Sequence, residues 1–472
     1  MKPMRFYATV IALLATGLSL MAQQHLSGCV YLPEVDGKAL CRPHLETRDY
    51  LTLPRMYSLK KYCPKVKDQG NYNTCTAWAT AYAARTICEA ASYGWANADS
   101  ITMESFSPSF VYKQVVSSDN CMEASSIGES LSKLKDVGTV KYLLYNQPCG
   151  DNIPTELQND ASNYKIDDYA LIFSDYGEEE VNKVLLTKKA LTHNRPVIIS
   201  MSYYTSFDSV TELWNGNMNM KVGNHAVCVV GYDDDKFGGA FEIMNSWGPK
   251  WGNGGFAWIR YGDYSKIVRY AYDLYIRKLE LSWQPLAGEQ YNVSGSIDFV
   301  GRNGERCMDL ILDTVGEMVH YYTNEDYMSG KKFRLSVGCS DPAWVYVIAT
   351  DLHNNITKLF PYSTNVNAYM NYKESHLPIP DEKHEFILDN NAGTDYFCVL
   401  YSRIELDIDA LIDKIKTTDG SIYRKLRNVL GNLLVRQTDV VYENDKVAFN
   451  SNSTGMVVPL VVEISHRGIS EE

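Results

Sequence analysis

The sequence predicts an α+β protein, a helical half followed by an antiparallel β half, with a further mainly β, sandwich-like region behind them. Three observations carry this. Apolar residues Ala77, Ala81, Ala84, Ile87 and Cys88 recur at the helical period after Cys75. Between residues 197 and 261, short apolar or alternating runs are divided by Gly and Asp clusters, an antiparallel strand signal. Beyond residue 284, short runs of period two and turn residues dominate.

Taken in order, the chain opens on Lys2 and Arg5, an apolar run over 6–21, and Ala22-Gln23. That is the layout of a secretory signal cleaved after Ala22, and the run is too short for a membrane span. Leu26-Ser27-Gly28-Cys29 looks like a lipoprotein lipobox, which would anchor the chain by lipid at Cys29. The polar Gln23-Gln24-His25 separates it from the apolar run, so export as a soluble protein is the favoured expectation. No later stretch offers about 18 unbroken apolar residues, so no integral span is expected.

At 472 residues the chain exceeds one ordinary core. The expected division is a signal over 1–22, a short loop-like extension over 23–52, a first domain over 53–283 and a β-rich domain over 284–472. A net charge of −12 argues against nucleic acid or an anionic membrane surface as partner. Eleven cysteines in an exported chain allow disulfides, and the odd number leaves at least one thiol over. Cys75 is the candidate for that thiol. Cys88 and Cys228 lie in apolar patterns and read as buried thiols. Cys29 with Cys41, and Cys121 with Cys149, are near enough in sequence to pair. No Cys-x-x-Cys or His-x-x-x-His spacing suggests a metal, and no cofactor is expected.

Within the first domain, helices are predicted from 75 onward, over 126–137 and over 178–191, and strands over 197–200, 225–232, 241–245 and 256–261. The chemistry gathers where a polar loop, Val66-Lys67-Asp68-Gln69-Gly70-Asn71-Tyr72-Asn73-Thr74, ends at Cys75 and a helix begins. A helix N-terminus favours the thiolate. Two later segments read with it: Asn224-His225-Ala226-Val227-Cys228, and Asn245-Ser246-Trp247-Gly248. Together the three resemble the papain-like cysteine peptidases, in which His and Asn follow the Cys by roughly 130–150 residues. Here His225 follows Cys75 by 150.

The resemblance covers about residues 53–277 and implies a two-lobe fold with the thiol on one lobe and the imidazole on the other. It implies Cys75 as nucleophile, His225 as base and Asn245 as the group that orients the imidazole. Gln69 and the Cys75 amide would form the oxyanion hole. Trp247 would shield the Asn–His hydrogen bond, with Asn224 beside the histidine in support. Asn73, Thr74, Gly223 and Ala226 are the expected cleft residues. The implied substrates are proteins or peptides, hydrolysed through a thioester acyl-enzyme. A non-catalytic binding scaffold, or an amidase or exopeptidase using the same groups, are the alternatives.

This chain departs from the family pattern in places. Tyr72 stands where a cysteine is usual, Asn73 where a glycine lines the cleft, and Thr76 where an indole follows the nucleophile. No Asn-Gly-Gly stands directly after Cys121 to pair with extended substrate. There is also no room for the family's long helical pro-segment, so self-inhibition would have to come from residues 24–52 or from another domain. Residues 332–412 resemble a small bacterial accessory domain of unknown function, on Val345-Tyr346-Val347-Ile348, Leu359-Phe360-Pro361, Leu377-Pro378-Ile379-Pro380 and Ala392-Gly393-Thr394-Asp395-Tyr396. No catalytic set is evident there, which implies an interaction module.

Overall fold

The computed structural model of the chain describes residues 26–41, 53–118, 120–147, 149, 152–176, 182–276, 290–351, 355–363, 366–370, 376–381 and 384–468. The expected signal over 1–22 and the expected boundary at 283 lie outside the described residues.

The predicted helix after the polar loop runs over 75–93, but not uniformly. It is α-helical over Cys75–Ala77, π-helical over Trp78–Arg85 and α-helical again over Thr86–Tyr93. The hydroxyls of Thr80 and Thr86 donate to the carbonyls of Thr76 and Ala81, satisfying acceptors along the wider turns. Gly94, at φ 70°, supplies the left-handed residue that ends the helix. The next predicted helix is Ile127–Asp136. Ser126 caps it, Glu129 completes the capping box, and Ile127, Leu131 and Leu134 are buried. The third is Lys183–Thr192, capped by Asn182; its predicted first turn falls outside the described residues.

Facing these helices, the described residues form a seven-stranded antiparallel sheet. Its strands are β1 (Met56–Ser58), β2 (Asp168–Ser174), β3 (Val197–Tyr204), β4 (Lys221–Asp233), β5 (Ala240–Met244), β6 (Phe256–Arg260) and β7 (Val268–Tyr275). The order is β2-β7-β3-β4-β5-β6, with β1 on β4. In β3, Ser200 stands opposite Ala226 of β4 on one side and Tyr270 of β7 on the other. Paired residues share a sheet face, so this row of three presents its side chains together.

A second core lies between two further sheets, eight- and six-stranded among the described residues. The short period-two runs expected beyond residue 284 include the strands Lys332–Cys339, Ala343–Thr350, Gly393–Ser402 and Val457–Arg467. Tyr401 crosses between the sheets. Its ring lies 5.1 Å from Phe449 and its hydroxyl donates to the Ser296 carbonyl at 2.8 Å. Strands His320–Thr323 and Tyr327–Met328 pair parallel with the last strand, departing from a wholly antiparallel sandwich. Helices Ile408–Thr417 and Ile422–Leu430 interrupt the strands.

The two cores touch. Asp168 of β2 accepts from Lys135 Nζ at 2.9 Å and, across the contact, from Asn367 Nδ2 at 2.8 Å. The rings of Tyr275 and Tyr369 meet edge to face at 5.4 Å.

Over its described residues 26–41 the extension is loop-like, with a 3₁₀ turn at Asp36–Lys38, but it is not loose. The buried Asp36 carboxylate accepts from the amides of Leu32 (2.8 Å) and Gly128 (3.1 Å) and from the Tyr272 hydroxyl (3.1 Å). The described part of the extension touches both cores: Leu40 C=O accepts the Leu171 amide and Cys41 C=O accepts the Asn367 amide, each at 2.8 Å.

Of the two cysteine pairs read as near enough, Cys121–Cys149 is a disulfide. Cys29 does not bond to Cys41; its sulfur faces Ser200 and Tyr270 instead. Cys88 and Cys228 are buried thiols, as their apolar patterns indicate. Among the described residues, no helix is long and apolar enough to cross a membrane.

Candidate active site

Cys75 is the first residue of the 75–93 helix, with Thr74 buried at the N-cap position. Its sulfur receives the amides of Ala226, Gly28 and Thr76, besides its own. Burial nevertheless pushes the thiol up, because removing water from a thiolate costs more than these donors return.

The Ala226 amide belongs to the residue after His225, so β4 lies directly against the helix N-terminus. Asn245, one residue past β5, holds the imidazole. His225 Nε2 is 2.8 Å from Asn245 Oδ1, and that oxygen already accepts the Ser246 amide at 2.8 Å. An oxygen in the acceptor role requires Nε2 to carry the proton, which turns Nδ1 away from Asn245 as the basic nitrogen. The buried Trp247 indole stacks on the imidazole, centroids 4.6 Å apart and planes at 28°.

Gln69 is fully buried. Its Oε1 accepts from Ser246 Oγ at 2.6 Å, which aims Nε2 at the carbonyls of Tyr72 (2.7 Å) and Leu26 (3.3 Å). Cys75, His225, Asn245, Gln69 and Trp247, read from distant segments, thus lie in one cluster.

Two of the expected cleft residues, Asn73 and Gly223, lie under residues 27 and 28. Residues 26–31 lie along the groove between the lobes. The Cys29 amide donates to Asn224 C=O at 3.4 Å. Ser125 donates to Gly28 C=O at 2.9 Å and accepts from Val30 N at 3.1 Å, a parallel β-bridge. Gly28 is pressed onto Asn73: a Cβ at 28 would stand 2.3 Å from the Asn73 Cβ. Ser27 lies over Gly223, where an added Cβ would meet its Oγ at 3.0 Å.

Sequence reasoning points to residues 24–52, or another domain, as the source of self-inhibition, but not to Ser125, Ser200 or Tyr270. It noted that a glycine pair for extended substrate is lacking after Cys121; the backbone of Ser125, its hydroxyl bonded to that of Thr76, makes that pairing here. Thr76 therefore does its own work where an indole is usual.

The model of the papain family cysteine proteases matches residues 54–273. An uncharacterized peptidase-like protein of Acanthamoeba polyphaga mimivirus is 28% identical over 230 residues, covering 45% of this chain and 67% of the viral protein. A probable cysteine protease of Arabidopsis thaliana is 32% identical over 77 residues, 16% of this chain and 20% of that protein. Among solved structures, xylellain, a cysteine protease from Xylella fastidiosa, aligns at 22% identity and a TM-score of 0.44, covering 54% of this chain and 98% of its own. A digestive procathepsin L of Tenebrio molitor larval midgut aligns at 18% and 0.41, covering 50% and 74%. Residues 54–273 thus match the papain family model, and these likenesses support a hydrolase of the cysteine-peptidase class.

Proposed function

We propose that the chain is an exported peptidase that cleaves peptide bonds with Cys75, His225 and Asn245, and that its own residues 26–31 hold it latent. One observation supports this above the rest. A backbone already rests on the reactive groups, with the Gly28 amide on the Cys75 sulfur and the Leu26 carbonyl on the Gln69 side chain. A cluster that receives a peptide in this way is built for peptide substrates.

In the reaction, His225 Nδ1 takes the thiol proton and the thiolate attacks the scissile carbonyl. Gln69 Nε2 and the Cys75 amide stabilise the oxyanion. His225 then protonates the leaving amine, and water hydrolyses the thioester. Asn245 keeps the imidazole turned to this task throughout. No cofactor takes part. The β-rich C-terminal unit serves as an interaction module, and the leader over 1–22 directs export.

The test pairs the full chain with its Cys75→Ala variant, each also carrying Gly28→Arg to force the segment off Asn73. An epoxide thiol label is read by mass spectrometry and a mixed peptide library reports cleavage. Label on Cys75, with cleavage that Cys75→Ala abolishes, is the expected result. A folded, reduced Gly28→Arg chain that is unlabelled and cuts nothing would overturn the reading in favour of a binding scaffold.

A further inference from the structure

Cys29 is a second thiol at the reactive centre, and peptide hydrolysis has no use for it. It lies one residue past Gly28, whose amide rests on the Cys75 sulfur. Backbone bonds hold it on both sides: the Cys29 amide donates to Asn224 C=O at 3.4 Å, and Gly28 and Val30 pair with Ser125. Its sulfur is 3.2 Å from Ser200 Oγ, and Ser200 stands opposite Ala226, whose amide also donates to the Cys75 sulfur. The two sulfurs are thus linked through Gly28 along the segment and through the Ser200–Ala226 pair across the sheet. Burial first, and then a Cys75 thiolate, would push the Cys29 thiol up, so each sulfur feels the other's charge. Both are free thiols, and both are buried while the segment is docked.

We propose that Cys29 and Cys75 form a redox latch: a disulfide between them fastens residues 26–31 over the reactive groups, and a thiol reductant unfastens it. The latch rests on that segment docking over Cys75, as in the peptidase reading, and not on peptide cleavage. Its oxidant is a small-molecule disulfide, RSSR. When the segment lifts, the Cys29 sulfur attacks RSSR, Cys29–S–SR forms, and the leaving RS⁻ takes up the Cys29 proton. Redocking returns Cys29 to the side of Cys75. His225 Nδ1 takes the Cys75 proton, and the thiolate attacks the Cys29 sulfur. The S–SR bond breaks as the Cys29–Cys75 bond forms, and the proton passes from His225 to the second RS⁻. Two protein thiols are oxidised and RSSR is reduced to two RSH. Turning χ1 takes the Cys29 sulfur off Ser200 without moving the backbone that Asn224 and Ser125 hold. Docking gives the two thiols a high effective concentration, whereas Cys41 is bonded away at the seam between the cores.

The test needs no turnover. The full chain, reduced and then freed of reductant, is incubated with oxidised glutathione, blocked with iodoacetamide and mapped by mass spectrometry without reduction. The expected product is a peptide pair joining Cys29 to Cys75. Thermolysin should then nick residues 26–35 roughly tenfold more slowly than in the reduced chain, and dithiothreitol should reverse the change. Cys29→Ser, which keeps a hydroxyl beside Ser200, should show neither the cross-link nor the gain in resistance. Gly28→Arg, which forces the segment off Asn73, should form the cross-link roughly tenfold more slowly. A Cys29–Cys41 link, glutathione retained on Cys29 with Cys75 free, or a cross-link that forms as fast in Gly28→Arg would each overturn the proposal. If the latch forms but the reduced Gly28→Arg chain cuts no peptide, the failure belongs to the peptidase reading and the latch stands.

Discussion

Burial pushes the Cys75 thiol up, and the Gly28 backbone of the segment 26–31 lies against its sulfur. Displacing the segment readmits water, and although the Gly28 amide is lost with it, the larger desolvation cost goes too. Alkylation of Cys75 in Gly28→Arg is therefore expected to reach half its limiting rate at a lower pH than in the parent, measured by iodoacetamide kinetics from pH 5 to 10. An unchanged or higher midpoint would place the burial elsewhere. Gln69 separates binding of the label from chemistry. Its Nε2 already meets a peptide carbonyl at 3.3 Å, so Gln69→Ala in the opened chain should lower kcat about 10²–10³-fold while Cys75 still alkylates. Parallel loss of labelling would show that Gln69 acts on folding or on the thiol itself.

At the level of elements, two features hold the groove. The Cys121–Cys149 disulfide spans 28 residues next to the strand-like Ser125, and Asn73 N donates to Cys121 C=O at 2.8 Å. A loop of that length contributes about 3.5 kcal/mol through the unfolded chain, so a Cys121→Ser, Cys149→Ser pair should lower Tm by several degrees in calorimetry. In the opened chain KM should rise more than kcat falls, because Ser125 loses its anchor. The second feature is Asp36, which pins the far end of the segment through three donors. Burial raises its carboxyl above the ordinary value, so the docked segment holds a proton that the released one gives up. Docking is then strengthened, not weakened, as pH falls through the docked-state pKa. Acid alone is expected not to release the segment through Asp36, and thermolysin susceptibility of residues 26–35 should fall or hold steady on acidification. A rise would assign the acid response to another group.

Across the whole molecule, the extension runs from the reactive thiol to the seam between the two cores, where Cys41 C=O takes the Asn367 amide and Asn367 Nδ2 reaches the buried Asp168 carboxylate. Replacing Asn367 with Ala leaves one oxygen of that carboxylate without this donor, at a cost of about 1–3 kcal/mol. The expected result is a thermal transition that broadens or splits into two in calorimetry. A single unshifted transition would mean the seam contributes little to stability.

Much of this was legible without the fold. Gln69, Cys75, His225 and Asn245 announce themselves because each sits in a short run whose neighbours serve the same chemistry: a polar loop before a helix, a histidine opening an apolar strand, Asn-Ser-Trp-Gly after another. Helices and strands followed from period, since burying one face requires it; the π-helical stretch at Trp78–Arg85 escaped because an alanine-rich run looks the same at either pitch. What only the tertiary structure decided is what lies on that machinery. Ser200 and Tyr270 are an unremarked serine and tyrosine in their own strands. They meet at the Cys29 sulfur through register across β7, β3 and β4, which depends on sheet order and not on any local pattern. Leu26-Ser27-Gly28-Cys29 has the composition of a lipid-attachment motif, yet its Cys29 sulfur is buried on those two hydroxyls. Contacts between positions more than 150 residues apart leave no periodicity behind, and only the closed backbone brings them together.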